Sequence, residues 1–279
     1  MILYNKKFQA TFLYIGIAIL LFIALFPLLW ATICSFKPNS ELFSDPFRLL
    51  PKKFSIQNYV NLFRGSDFIR YFLNSVFIAS FSTIFALVLA CLAGYSLTRF
   101  KFPGSKLLTK LMLDAYMIPP ILLVLPIYLI IVKIGLRDSI FIYALIVMGN
   151  TLPFCLWLVN SYYSGISVDY EEAAMVDGAT RFMAFYKVVI PQLIPAVVAV
   201  GIQAFVLAWN DLLFAQILIS SDKNRTLALA ISGMFAQDIV YPWGVILAAT
   251  VVATLPVLIM FVFGVDKLIG GWSEGGIKG

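Results

Sequence analysis

The chain has 279 residues, of which 62% are hydrophobic and 12% are charged, about half the charged fraction of an ordinary soluble domain. This composition excludes a soluble globular protein. The formal net charge is +6, but 25 phenylalanines and long uncharged runs favour contact of the basic residues with membrane lipid rather than nucleic acid. Histidine is absent, which excludes His-dependent nucleophiles and most metal sites, so we predict neither catalytic nor metal-binding residues.

Six apolar runs are each long enough to cross the roughly 30 Å hydrocarbon core of a bilayer as a helix. They lie near residues 11–33, 72–97, 107–132, 139–162, 193–219 and 243–266. They are longer than barrel strands and lack the alternating polar face of such strands, so helices are expected. Cys34, Cys91 and Cys155 lie in or beside these runs and are expected to be buried. We predict an all-α membrane protein with a single transmembrane domain over residues 1–279.

The Lys and Arg residues do not decide which side of the membrane holds the two termini. If both termini are cytoplasmic, ten of these residues lie inside and ten outside. The basic cluster at 99–110 favours a cytoplasmic second loop, and the long first loop, residues 34–71, offsets it. Charge alone leaves the orientation open.

The loop between the fourth and fifth spans, residues 164–191, contains a predicted short helix. Ser167 or Asp169 can cap this helix, and acidic residues in its first turn suit the positive end of the helix dipole. Ala173 and Ala174 add so little bulk that the helix backbone could approach another surface closely. A docking partner is one interpretation, and an interfacial helix that packs only on its own bundle is the other.

A glycine corner is predicted to follow this short helix. Gly178 can close the helix in the left-handed conformation, and Thr180 can cap a second helix that leads to Pro191. The pattern therefore predicts a helix, a glycine corner and a second helix at the membrane face.

The residue identities in this loop resemble a known family signature. The matching residues are Glu172-Ala173-Ala174, Asp177-Gly178-Ala179 and Ile190-Pro191. They closely resemble the EAA motif of ABC importer permeases, in which a cytoplasmic coupling helix docks on the ATP-hydrolysing subunit. The resemblance implies a six-transmembrane-helix permease fold. It assigns ATPase coupling to Glu172, Ala173, Ala174, Asp177, Gly178, Ala179 and Pro191.

Shorter stretches extend the likeness over nearly the whole chain. They are Asn58-Tyr59, Asn74-Ser75, Ala93-Gly94-Tyr95, Arg99-Phe100, Met117-Ile118-Pro119, Trp209-Asn210-Asp211 and the tail Gly276-Ile277-Lys278-Gly279. In this order they are similar to the carbohydrate-type permeases of the maltose-system kind. The resemblance implies a permease subunit of an ATP-driven, binding-protein-dependent importer of a sugar, oligosaccharide or polyol, working by alternating access.

The resemblance also implies the surroundings of the chain. It places the protein in the inner or plasma membrane with both termini and the EAA loop in the cytoplasm. The implied partners are a second permease subunit of different sequence, two ABC ATPases that bind ATP-Mg, an extracytoplasmic solute-binding protein and membrane lipid, with no nucleic acid. No phosphate-binding Gly-x-x-x-x-Gly-Lys motif occurs in the chain, so we expect no cofactor on it and no enzyme activity.

Polar residues within the spans are candidates for the translocation path. Trp209, Asn210 and Asp211 offer an indole, an amide and an acid that suit sugar hydroxyls, and a brace at the end of the bundle is the alternative. Asn150 and Thr151 either line the path or form interhelical hydrogen bonds.

Other functions remain as alternatives. An ABC permease for a non-sugar solute is the main rival. A stand-alone secondary carrier would use Asp114 and Asp211 as ion sites, although Asp114 can instead pair with Lys110 one turn away. An intramembrane aspartyl protease is disfavoured, because neither acid follows a glycine.

Overall fold

The computed structural model describes residues 6–45, 48–235 and 243–275, and side chains between residues 10 and 264 of these ranges. The regular structure in these ranges is helical, which confirms the predicted all-α class. In chain order the helices are α1 (Lys6–Ser35), α2 (Asn39–Ser44), α3 (Gln57–Arg64), α4 (Phe68–Arg99), α5 (Ser105–Met117), α6 (Pro120–Lys133), α7 (Ile140–Tyr163), α8 (Asp169–Val176), α9 (Arg181–Ala184), α10 (Ile190–Trp209), α11 (Leu213–Leu218), α12 (Leu227–Met234) and α13 (Trp243–Gly275). A π-helical turn covers Phe185–Val189, and a 3-10 turn covers Asp222–Asn224. The tail at 276–279 lies outside the described residues.

Five helical segments are long and apolar enough to cross a membrane. They are Ala10–Ser35, Phe68–Arg99, Ile140–Tyr163, Arg181–Leu218 and Trp243–Gly264. The run predicted at 107–132 forms two helices, α5 and α6, which meet at an angle of 96°. Pro119 and Pro120 remove backbone donors and push the preceding residue out of the helical region, which breaks the helix. If the bent pair is one broken span, the described helices give six crossings.

The predicted fifth span at 193–219 is also interrupted. α10 ends at Trp209, and Asn210 donates from Nδ2 to the carbonyl of Val206 at 2.9 Å. Asp211, just before α11, accepts the hydroxyl of Tyr143 at 2.7 Å through its side chain. Short polar side chains that compete for backbone hydrogen bonds favour such breaks.

The described residues within 6–68 and 231–255 form one compact unit. In its first loop Lys37 is fully buried, donates to the carbonyl of Arg48 and lies 5.1 Å from the ring centroid of Trp30. Asn58 is buried too, and its Nδ2 donates to the carbonyls of Ser35 and Lys37, each at 2.8 Å. These bonds pair three backbone carbonyl groups with buried side chains, so this part of the first loop is folded.

The described residues within 69–230 and 256–275 form the second unit, whose core lies between α4, α7 and α10. Small residues on α4 allow close packing, and a Cβ added at Gly94 would lie 3.0 Å from the Tyr163 ring. Tyr163 donates its hydroxyl to the carbonyl of Cys91 at 2.9 Å. Cys91 and Cys155 are buried here and Cys34 is buried in the first unit, all three as free thiols, which confirms the prediction.

A sharp corner joins α6 to α7 at Asp138, which has a φ of 63°. Its Oδ1 accepts the backbone N–H groups of Ser220 and Ser221 at 2.9 and 3.0 Å. Burial disfavours the carboxylate, but these hydrogen bonds and the charge of Lys223 outweigh burial and lower the pKa of Asp138. The Asp138 carboxylate therefore ties the α6–α7 connection to the chain after α11.

Candidate functional site

The short helix predicted in the fourth loop is α8. Three acids lie in its first turn, where they suit the positive end of the helix dipole. Ser167 accepts the backbone N–H of Asp169 at 3.2 Å and donates its hydroxyl to the Asp169 carboxylate at 2.8 Å. The capping prediction is wrong in detail, because Val168 is the residue before the helix and no side chain caps it.

The glycine corner forms as predicted. Gly178 has a φ of 90°, and the N–H of Ala179 donates to the carbonyl of Ala174 at 3.0 Å. Thr180 then caps α9 by accepting the N–H of Met183 at 3.2 Å. These bonds close both helix ends, so the direction of the chain between α8 and α9 is set by local hydrogen bonds.

One side of α8 and its corner is open to the surroundings. Glu172, Ala173, Asp177 and Gly178 are exposed, and Val176 is 87% exposed. Ala174 and Ala179 are half-buried. We call the exposed set, residues 172, 173 and 176–178, the α8 surface. It joins an unpartnered apolar side chain to small residues and two acids, which suits close contact with a partner.

Pro191 was predicted together with these residues but belongs to a different element. It is exposed in the first turn of α10, separated from α8 by α9 and the π-helical turn. Proline has no backbone N–H to donate, and Pro191 lies just after the π-helical turn, where the hydrogen-bond pattern changes to that of α10. Its position explains where α10 starts and places it outside the α8 surface.

The opposite side of α8 is attached to α4 through Glu171. This glutamate is 4% exposed and accepts Arg99 Nε at 2.5 Å on one oxygen and the Tyr95 hydroxyl at 2.8 Å on the other. Arg99 Nη2 also donates to the carbonyl of Ile166 at 2.8 Å, just before α8. We call Tyr95, Arg99 and Glu171 the α8 anchor. Both carboxylate oxygens are paired, so burial of this charge is compensated.

The sequence did not single out Glu171, although it contained a signal. Tyr95 and Arg99 are spaced four residues apart at the end of α4, so both side chains lie on one helix face. One acid could pair with both side chains, and three acids lie at the start of α8. Packing of α8 on α4 selects Glu171, and that long-range choice is invisible in local sequence.

The residues proposed for the translocation path have different surroundings. Trp209 is buried, with its ring 5.7 Å from that of Phe72 and 5.5 Å from that of Phe205. Asp211 accepts the Tyr143 hydroxyl at 2.7 Å. These contacts are those of a brace between α4, α7 and α10, the alternative interpretation of this tripeptide. Asn210 is exposed.

Asn150 and Thr151, the two predicted path residues on α7, also differ in their burial. Thr151 is buried and donates to the carbonyl of Val147 at 2.8 Å. Asn150 is exposed and lines an apolar cavity of about 300 Å³ inside the bend between α5 and α6, together with Phe214. Of the predicted path residues, Asn150 therefore has its side chain at an open cavity.

Charged groups elsewhere in the described part of the chain do not form a metal site. No group of three or more His, Cys, Asp or Glu side chains is close enough to hold a metal ion in residues 6–45, 48–235 and 243–275. Asp114 and Lys110 are both exposed on α5.

A family model described as binding-protein-dependent transport system inner membrane component matches residues 86–268, more than half of the chain. The chain belongs to this family. It is accordingly a membrane-bound permease component of an ABC importer and not an enzyme.

Relatives of known name match over almost the full length. An inner membrane ABC transporter permease protein of Escherichia coli (strain K12) is 34% identical over 95% of both chains. The trehalose transport system permease protein of Mycobacterium tuberculosis is 34% identical over 92% of this chain and 93% of that one. The trehalose/maltose transport system permease protein of Thermococcus litoralis is 30% identical over 99% of both.

Solved structures share the fold. A chain of a bacterial ABC transporter involved in the import of the acidic polysaccharide alginate superposes with a TM-score of 0.80 at 19% identity. The match covers 96% of this chain and 98% of that one. The ABC importer permease fold expected from the resemblance is therefore the fold of this protein.

Proposed function

We propose that the α8 surface is the docking site for an ABC ATPase, and that this chain moves a sugar or oligosaccharide across the membrane when ATP is hydrolysed by that partner. The observation that carries the proposal is the geometry of α8. The residues of the EAA-like motif lie on an exposed helix and a left-handed corner, and the reverse side of that helix is anchored to the bundle.

The charge distribution supports docking rather than burial against lipid. Glu172 and Asp177 are exposed on the α8 surface, and an unpaired carboxylate in hydrocarbon would cost several kcal/mol. Val176, almost fully exposed, would gain by burial in a cleft. Contact with water would suit the two acids but leave the valine exposed, and contact with lipid would bury the valine but also the acids. A protein partner with a basic rim and an apolar centre would suit both kinds of residue.

The names of the relatives support a carbohydrate as the solute. Permeases for trehalose, for trehalose and maltose, and for diacetylchitobiose are each 30 to 34% identical to this chain over at least 91% of its length. We further propose the expected assembly: a second permease chain, two ATPases holding ATP-Mg, and an extracytoplasmic solute-binding protein, with both termini in the cytoplasm. Asn150 is the residue that we assign to the solute path.

The docking site can be tested by placing an additional charge on the exposed centre of the α8 surface. Ala173→Glu should reduce recovery of the ATPase with the affinity-purified chain by on the order of tenfold or more, because a third acid must be desolvated in the contact. The matched control is Ser164→Glu, an exposed small residue before α8.

Copies of both variants are first counted in the membrane by quantitative immunoblot, so that loss of insertion is separated from loss of docking. Full ATPase recovery with Ala173→Glu would refute the docking site. Uptake by the chain alone in liposomes, abolished by an ionophore and indifferent to ATP, would instead favour the secondary carrier.

A further inference from the structure

α4 carries a polar attachment close to each of its ends. At one end the α8 anchor joins Tyr95 and Arg99 to Glu171. Arg99 and Glu171 side chains are 8% and 5% exposed, so solvent screens their pairing weakly. Displacing α8 relative to α4 would separate a desolvated ion pair. The anchor therefore resists independent motion of the two helices.

At the other end α4 holds a segment that follows α11. Asn74 donates from Nδ2 to the carbonyls of Lys223 and Arg225, both at 2.9 Å. The adjacent Ser75 is buried and accepts the N–H of Leu227 at 2.8 Å. We call residues 223–227 the held segment. Three backbone groups of this segment depend on two α4 side chains.

Between these attachments α4 is a single α-helix without proline. The other four membrane-length segments each contain one inside a helix, at Pro27, Pro153, Pro195 and Pro256. Proline is the commonest cause of a sharp helix kink, and α4 lacks the kink-forming residue that each of the other four contains. From Asn74 to Arg99 it extends about 37 Å at the standard rise.

We propose that Glu171, Arg99, Tyr95 and Asn74 are positioning residues that make α4 the rigid link between the α8 surface and the held segment. The inference rests on the proposed function, since α8 must move with a docked ATPase. A displacement of α8 enters α4 through the anchor and reaches the held segment through Asn74 and Ser75. Two sites are thus coupled by one stiff element rather than by general packing.

The test measures motion at the held segment without needing the transported solute. Lys223 is exposed, and its backbone carbonyl, not its side chain, is bound by Asn74, so Lys223→Cys leaves the attachment intact. The rate of maleimide labelling at this cysteine is compared with and without ATP plus orthovanadate, in the complex purified with its ATPase. The three native cysteines are buried and provide the background measurement.

In the otherwise native chain, nucleotide trapping should change the labelling rate by at least about fivefold, the lower range of an allosteric coupling. Glu171→Gln should remove most of this change, and so should Asn74→Ala at the opposite end of α4. Asp169→Asn, an exposed acid of the same helical turn, should behave as the native chain. Tyr95→Phe keeps the ion pair and the aromatic ring, so it should reduce the change in labelling rate only partly. It is the variant to use if the Glu171→Gln chain does not assemble with its ATPase.

The outcomes separate this inference from the proposed function. If no ATPase purifies with the native chain, the docking site fails. If the ATPase is bound and active but Glu171→Gln and Tyr95→Phe keep the full labelling change, the rigid link is overturned and the docking site stands. An unchanged labelling rate in the native complex also overturns the link.

Discussion

Glu171 and Glu172 are adjacent and chemically identical, and the helix assigns them opposite surroundings. Successive side chains on an α-helix point about 100° apart, so one carboxylate faces α4 and the next faces outward. Glu171 accepts two side-chain donors in a buried site, whereas Glu172 is exposed. Removal of Glu171 would leave Arg99 buried without its counter-ion, and removal of Glu172 would leave no buried group unpaired.

Gly178 allows a separate test of the corner. With φ at 90° and no atom within 4 Å of the position that a Cβ would take, alanine there costs backbone strain and no clash. Gly178→Ala should lower stability by about 1 kcal/mol, and Gly178→Asn by less, because asparagine tolerates the left-handed region better. Unfolding in detergent, followed by intrinsic fluorescence, should show the native chain as the most stable, Gly178→Asn as the next and Gly178→Ala as the least stable. An Asn variant no better than Ala would contradict the strain account.

Local chemistry made the corner predictable and left the anchor unpredictable. Gly178 and Thr180 act within four residues of themselves, so their roles follow from residue type alone. Glu171 meets Tyr95 and Arg99 across more than 70 residues of sequence, and no local rule selects it over its neighbour. Asp211 shows the same limit, since its partner Tyr143 lies on another helix.

At the scale of elements, hydropathy locates apolar runs but does not show whether a run is straight. The runs predicted at 72–97 and 139–162 are single helices, whereas that at 107–132 is two helices at 96°. The tandem Pro119 and Pro120 explain the break in physical terms. The composition of this run does not predict the direction that α6 takes after the break, because neighbouring helices set that direction.

The bent pair has a topological consequence that can be measured. If α5 and α6 form one broken span, cysteines at Lys106 and Lys133, both exposed near opposite ends of the pair, should face opposite sides of the membrane. A membrane-impermeant maleimide should then label Lys133→Cys in intact cells and Lys106→Cys only in inverted vesicles. Labelling of both from the same side would make the pair a re-entrant loop and reduce the crossings to five.

At the scale of the whole molecule, the distribution of Lys and Arg gives no orientation, and the proposed docking on α8 implies one. Lys and Arg divide evenly between the two sides, so the positive-inside rule gives no preference. An ATPase reaches its nucleotide in the cytoplasm, and docking on the α8 surface therefore requires that surface to be cytoplasmic. The held segment must then lie on the extracytoplasmic side if α4 crosses the membrane once.

Two cysteines test this orientation and the docking site together. Val176→Cys, on the α8 surface, should resist an impermeant maleimide in intact cells and react in inverted vesicles, where a bound ATPase should slow its labelling by covering it. Lys223→Cys should show the opposite sidedness and no protection by the ATPase. Reaction of Val176→Cys from outside the cell would place α8 beyond the reach of any cytoplasmic ATPase, and the docking site and the rigid link through α4 would both be rejected.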